Sequence, residues 1–252
     1  MSYLFSLFSN AKQYTVFQSS RSVGITFNDA RLKIMTTWDA DQLRAAVRVY
    51  LLADTGLVPP EDLLDVVAAA IRGGVTAVQL RAKMATTLEQ LELARGLKAI
   101  CEQASVPFIV NDRVDVALAA ESDGAHVGHI GEEDLSPQDA RRLLGPKAIV
   151  GVSVGTAKEA HTAASQGASY VSAGPMFATS TKSNAGPAAG ETLLRSVRAA
   201  TRLPLVVIGG ITPQRSAPLF AAGADGVCVG AAVLRSPDPE AAARAFYELG
   251  GA

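Results

Sequence analysis

Gly74-Val75-Thr76-Ala77-Val78-Gln79-Leu80-Arg81-Ala82-Lys83 is the stretch that decides the fold. A small-residue junction leads into a short apolar run, and the run ends on an amide and two cations. Unbroken hydrophobicity marks a strand covered on both faces, as in parallel sheets. Polar groups gathered at its C-terminal end point to an α/β barrel, which keeps its chemistry there. Three further strand ends carry groups of the matching kind: Asn111-Asp112, Ser153 and Thr179-Ser180-Thr181-Lys182. Together they suit a diphosphate, a metal ion and a second phosphate.

The opening phrase recurs. Asp123-Gly124-Ala125-His126-Val127, Gly167-Ala168-Ser169-Tyr170-Val171 and Gly223-Ala224-Asp225-Gly226-Val227 also place small residues where a helix ends and a strand begins. Glycine there supplies the left-handed turn that closes the helix. From residue 47 onward, apolar runs at 49–53, 77–80, 108–110, 125–127, 148–152, 170–172, 205–208 and 227–229 alternate with amphipathic segments. The helical segments include 61–72, 88–103, 137–144, 157–166, 191–200 and 213–222. Repetition at every second βα unit predicts a closed (β/α)8 TIM barrel rather than an open doubly wound sheet. The absence of an early G-x-G-x-x-G turn counts against a dinucleotide fold. The connection 175–190, long and rich in small residues, reads as functional.

The 252 residues, 48% hydrophobic and 19% charged, are enough for one large domain with a sizeable core. A net charge of −1 offers no basic field for nucleic acid, so an anion must be bound locally. Cys101 and Cys228 form no metal-type pair and fit a reducing cytosol as core residues. No apolar run is long enough to span a bilayer. Residues 1–46 show neither a signal peptide nor a clear period and are expected to be a disordered N-terminal extension, with 47–252 as the barrel catalytic domain. Met35 is a candidate start.

The phrases QLRAK (79–83), NDRVD (111–115), GAHVG (124–128), GVS (151–153), GPMFATSTK (174–182), IGGIT (208–212) and GADGV (223–227) resemble, in this order and spacing, the thiamine-phosphate synthase family. The resemblance runs from about Tyr50 to Phe246. It implies a (β/α)8 transferase that joins a hydroxymethylpyrimidine diphosphate to a thiazole phosphate with the help of Mg2+, releasing diphosphate. An aminopyrimidine ring can delocalise the charge left on the benzylic-type carbon, so ionisation can precede attack by the thiazole nitrogen. The protein must then stabilise a departing diphosphate, which calls for cations and a metal more than a base.

By the same resemblance, Gln79, Arg81, Lys83, Asn111, Ser153 and Lys182 bind the pyrimidine diphosphate, with Arg81, Lys83 and Lys182 as catalytic cations. Arginine can fork onto two phosphate oxygens, and lysines act as compact point charges. Thr179, Ser180, Thr181, Gly210, Gly230 and Ala231 correspond to the thiazole-phosphate site, where glycine lets main-chain N–H groups approach the anion. Gly230-Ala231 departs from the Ile-Ser pair of the family, keeping backbone donation and losing a hydroxyl. Asp112 and Asp134 match the Mg2+ ligands, an ion that takes oxygen ligands and few carboxylates.

Alternatives accompany several residues. Asp112 also suits a helix N-cap. Gly128 to Asp134 is longer than the family's G-Q-E-D-like phrase, so Glu132 or Glu133 could replace Asp134, or all three could cap the next helix. His126 is either a barrel-interior imidazole or a catalytic one, and His129 and His161 have weaker claims. A thiazole tautomerase of the same fold uses a histidine two residues beyond Ser153, a position the synthase also often fills with histidine; this chain has Gly155 and so lacks the proton-transfer agent. A catalytically silent thiamine-phosphate binder is the other alternative. Partners are expected to be two small phosphorylated substrates, without nucleic acid or membrane, in the cytoplasm; a homodimer is open.

Overall fold

The computed structural model describes residues 6–8, 11–18, 21–27, 38–129, 131, 135–179 and 188–249. The chain divides into two compact units, Met1–Thr36 and Thr37–Ala252. In the first, β1 (Ser6–Phe8), β2 (Ala11–Gln18) and β3 (Arg21–Phe27) form an antiparallel sheet in the order β1-β2-β3. These strands lie where the sequence shows no clear period.

The second unit opens with α1 (Ala40–Ala46), started by a capping box. Asp39 accepts from the N–H groups of Asp41 and Gln42, and the Gln42 side chain accepts from the Asp39 N–H. The strands β4 (Val49–Asp54), β5 (Ala77–Arg81), β6 (Phe108–Asn111), β7 (Gly124–His129), β8 (Ile149–Val154), β9 (Tyr170–Ala173), β10 (Leu205–Ile208) and β11 (Gly226–Val229) follow. They pair in parallel in sequence order, and β11 pairs with β4 to close the barrel. Around them run α2 (Pro60–Arg72), α3 (Thr87–Gln103), α4 (Val114–Ala119), α5 (Pro137–Leu144), α6 (Ala157–Ser165), α7 (Gly190–Ala200), α8 (Pro213–Ala221), α9 (Ala231–Leu234) and α10 (Pro239–Leu249). The predicted TIM barrel is the fold.

Two buried clusters follow from the strand period of two. Val49, Leu51 and Ala53, with Val78, Leu80, Val110, Val127 and their equivalents, face outward against the helices. Tyr50, Leu52, Ala77, Ile109, Ile149, Tyr170, Val206 and Cys228 form a separate cluster joined by Leu43 and Val47, so α1 packs against the barrel interior. Continuing that inner face toward the C-terminal end reaches Asp54, Gln79 and Arg81, Asn111, and Ser153. The periodicity that buries the core thus also delivers the polar mouth.

The recurring phrase has a structural reason. Thr76, Asp123, Ser169 and Asp225 each stand just before a strand. Each accepts a hydrogen bond from an N–H at or near the start of the neighbouring strand: Val49 (2.9 Å), Phe108 (2.8 Å), Val150 (3.0 Å) and Leu205 (2.8 Å). Three of these oxygens also receive a helix cation, from Lys98 (3.0 Å), Arg141 (2.8 Å) and Arg198 (2.9 Å). The staple joins β4 to β5, β6 to β7, β8 to β9 and β10 to β11. Its recurrence at alternate strands is therefore a device for satisfying backbone donors at or near the strand starts.

Candidate active site

At the C-terminal mouth lies a cavity of about 440 Å3, within the range that binds small molecules. Its walls come from Leu52, Asp54, Arg81, His129, Ser153 and Ser172 on the strands, from Gly174, Pro175, Ala178 and Thr179 after β9, and from the loops after β10 and β11. The β9 and β10 loops are zipped together: Met176 N–H donates to Ile208 O (2.8 Å) and Phe177 N–H to Gly209 O (3.0 Å). Gly210 sits at φ +62°, and a Cβ there would meet Ala178 O at 2.5 Å and Phe177 Cβ at 2.9 Å, so only glycine allows this approach.

Arg81 reaches the cavity on a leash. Its Nη1 lies 2.6 Å from Oδ2 of Asp54, a carboxylate only 3% exposed, whose Oδ1 accepts the Gly56 N–H (2.9 Å). One edge of the guanidinium is held while the remaining donors stay available. Lys83 Nζ lies 3.2 Å from Asp112 Oδ2, and neither residue is part of the cavity wall. Asp112 adopts a left-handed backbone (φ +59°) and its N–H donates to His126 O at 2.7 Å. The N-cap of α4 is Arg113, so Asp112 does not cap that helix and its carboxylate faces Lys83. Asn111 is half-buried at the end of β6 and outside the cavity wall.

Gln79 departs from its expected placement. It is 4% exposed, and its Nε2 donates to the Tyr50 hydroxyl at 2.8 Å. From there a chain of short contacts crosses the barrel: Tyr50 to Tyr170 (2.7 Å), Tyr170 to His126 Nδ1 (2.9 Å), and His126 Nε2 to Ser153 Oγ (3.0 Å). The amide donates to Tyr50, and the arrangement that leaves no buried hydroxyl proton of this chain unpaired has Tyr50 donating to Tyr170 and Tyr170 to Nδ1. In that arrangement His126 carries its proton on Nε2 and donates to Ser153. Ser153, at the cavity wall, is left to direct its own hydroxyl proton at a ligand. Burial pushes both tyrosine hydroxyls well above their ordinary range, which keeps the chain in its neutral form. His126 is thus a barrel-interior imidazole hydrogen-bonded to a serine of the cavity wall.

Of the other expected site residues, Gly210, Gly230, Ala231 and Thr179 line the same cavity. Ser180, Thr181, Lys182, Glu132, Glu133 and Asp134 lie outside the described residues. Among the described residues no cluster of three metal-ligating side chains forms. His161 is exposed on α6. Asp54, Tyr50 and Tyr170 were not legible from the sequence, and His129 carried only a weak claim. Asp54 had one signal, since a carboxylate closes the apolar run 49–53 as Arg81 closes its own, and the two are register partners.

This arrangement defines a (β/α)8 barrel enzyme whose mouth gathers an arginine, an oriented serine and glycine-rich loops around one cavity. A family profile described as thiamine monophosphate synthase matches residues 49–233. The thiamine-phosphate synthase of Moorella thermoacetica is 46% identical over 201 residues, 80% of this chain and 94% of that one. That of Roseiflexus castenholzii is 45% identical over 201 residues, covering 80% and 87%. Among solved structures, a thiamine phosphate pyrophosphorylase from Pyrococcus furiosus superposes with a TM-score of 0.75 at 33% identity, covering 82% of this chain and 97% of that one. The chain belongs to the thiamine monophosphate synthase family and is a transferase of thiamine biosynthesis, of the thiamine-phosphate synthase type. Among the described residues no helix is long and apolar enough to cross a membrane.

Proposed function

We propose that this transferase condenses hydroxymethylpyrimidine diphosphate with thiazole phosphate, or its carboxylated tautomer, to thiamine phosphate and diphosphate by a dissociative route. The observation that carries the reading is the convergence of Arg81, Ser153 and the loops at Gly210 and Gly230 on one cavity. Arg81, oriented by Asp54, offers its remaining N–H donors to the departing diphosphate, and Lys83 and Lys182 add positive charge. Donors aimed at where negative charge develops supply transition-state stabilisation without reorganisation. Ser153 contributes the hydroxyl freed by donation from His126. Gln79 acts at one remove, by fixing the direction of the buried chain, while Asn111 bonds the pyrimidine diphosphate at the rim.

The thiazole phosphate is held by Thr179, Ser180, Thr181 and the backbone amides around Gly210, Gly230 and Ala231. Asp112, at the rim beside Lys83, fits an ion that needs one or two carboxylates and fills its other positions with phosphate oxygens and water. Asp112 and Asp134 would hold Mg2+, which when bound neutralises charge on the leaving diphosphate. The thiazole nitrogen is the nucleophile, and no enzyme side chain forms a covalent intermediate. The enzyme works in the cytosol and has no nucleic-acid partner.

The test is an assay with both substrates, with and without Mg2+, that follows thiamine phosphate and diphosphate together. Equimolar products dependent on Mg2+ support the reading; turnover of the thiazole tautomer alone replaces it with tautomerase activity. Asp112→Asn and Lys182→Ala should each lower turnover by about 100-fold or more with the fold intact. Near-normal rates in both would remove their assigned roles.

A further inference from the structure

The register between β7 and β8 shifts between Val127 and His129, so that His129 stands opposite Ser153. A bulge of this kind re-aims a side chain. The His129 ring lines the cavity and lies against Gly155, where a built Cβ would be 3.5 Å from its Cε1 and 3.9 Å from its Nδ1. Gly155 is not in the left-handed backbone region, so its φ does not call for glycine. The space beside residue 155 is occupied by an imidazole that arrives from the neighbouring strand.

Glu159 holds that ring in place. Its Oε2 lies 3.1 Å from His129 Nδ1 and accepts the Gly155 N–H at 2.9 Å, while its Oε1 accepts the Thr156 hydroxyl at 3.0 Å. Burial raises the Glu159 carboxyl, but the hydrogen bonds from Gly155, His129 and Thr156 outweigh it and hold the group below its ordinary range. An ionised carboxylate can only accept, so Nδ1 carries a proton, and in the neutral form of the ring the lone pair lies on Nε2. Among the described residues Nε2 has no hydrogen-bond partner. A lone pair repels a phosphate oxygen and suits an N–H donor.

We propose that His129, oriented by Glu159, is a substrate-contacting residue whose Nε2 accepts a hydrogen bond from an N–H group of the ligand in this cavity. The donor's identity rests on the functional reading above, in which it is the exocyclic amino group of the pyrimidine. As the diphosphate leaves, positive charge spreads into that ring and the amino N–H becomes more acidic. The bond to Nε2 therefore tightens in the transition state, and no proton need transfer. An interaction made mainly in the transition state is lost from kcat rather than from KM.

Two measurements test this. In steady-state kinetics, His129→Ala should lower kcat by about 10- to 100-fold, the worth of a hydrogen bond to a charged group, with KM little changed. Gly155→His placed in the His129→Ala background should recover about tenfold of the loss, since it returns an imidazole to the vacated space. An active wild-type enzyme whose His129→Ala variant stays within about twofold overturns the proposal. Second, 15N NMR of the three histidines should show His129 with its proton on Nδ1. Free hydroxymethylpyrimidine should shift its Nε2 signal, and Glu159→Gln should move the tautomer toward Nε2–H. A wild-type protein without synthase turnover would sink the functional reading alone; an Nε2 signal unmoved by the pyrimidine would overturn the proposal in either case.

Discussion

Removing the Tyr170 hydroxyl tests the direction of hydrogen bonding through the barrel. In Tyr170→Phe, two buried contacts disappear, at 2.7 Å to Tyr50 and 2.9 Å to His126 Nδ1. Because protons run from Gln79 toward Ser153, the groups left unpaired are the Tyr50 O–H and the Nδ1 lone pair. Each orphan costs about 1–3 kcal/mol, giving about 2–6 kcal/mol, a large share of a typical total stability of about 5–15 kcal/mol. Tyr50→Phe orphans only the Gln79 amide, because Tyr170 still donates to His126, and should cost about 1–3 kcal/mol. The double variant leaves the amide and Nδ1 unpaired but no longer buries a lone Tyr50 hydroxyl. It should therefore cost about 1–3 kcal/mol less than the sum of the singles. Urea unfolding of the four proteins yields the cycle. Additivity within about 0.3 kcal/mol, or Tyr50→Phe costing more than Tyr170→Phe, would refute the assigned direction.

Asp54→Asn should cost about 2 kcal/mol, less than a fully buried pair because Arg81 is partly exposed, and should lower kcat/KM about tenfold or more by loosening Arg81; unchanged kinetics would remove Asp54 from the site. Gly151→Ala should unfold or severely destabilise the barrel, because its Cβ would run into the Tyr170 ring; a melting temperature near that of the wild type would contradict this packing. Burial lifts the thiols of Cys101 and Cys228 to about 12, from an ordinary 9.0, and also raises Tyr50 and Tyr170. The unfolded chain ionises these groups first, so their contribution is full below pH 9 and is lost as pH rises toward 12. Denaturant midpoints should fall steadily across that window, and a flat profile would argue against burial of the thiols.

Much of the barrel was legible because strand burial is a local property of the chain. The runs at 77–80, 108–110 and 227–229 lie within β5, β6 and β11, since a strand covered on both faces is apolar at most of its positions. The helices α4 and α9, at six and four residues, are too short for a 3.6-residue period to be read. The candidate site was legible in the same local way: polar residues ending apolar runs marked the mouth, and Arg81, Ser153, Thr179, Gly210, Gly230 and Ala231 do line one cavity. Gln79 stands deeper than the mouth, 4% exposed and bonded to Tyr50, because strand end and barrel interior cannot be told apart until the depth of each residue is known.

By itself, the sequence determined the period, the count of strands and the polar character of one end, because these depend on neighbours two to four residues away. It also carried the repeated phrase containing Thr76, Asp123, Ser169 and Asp225, although the hydrogen bonds these residues accept come from the neighbouring strand and needed the paired sheet to be seen. Closure of the barrel decided the rest. Tyr50 and Tyr170, 120 positions apart, share a hydrogen bond only because β4 and β9 face each other across the interior. His129 meets Gly155 and Glu159 only because a one-residue register shift turns it toward β8. Such partners are chosen by geometry between distant strands, which no local pattern encodes.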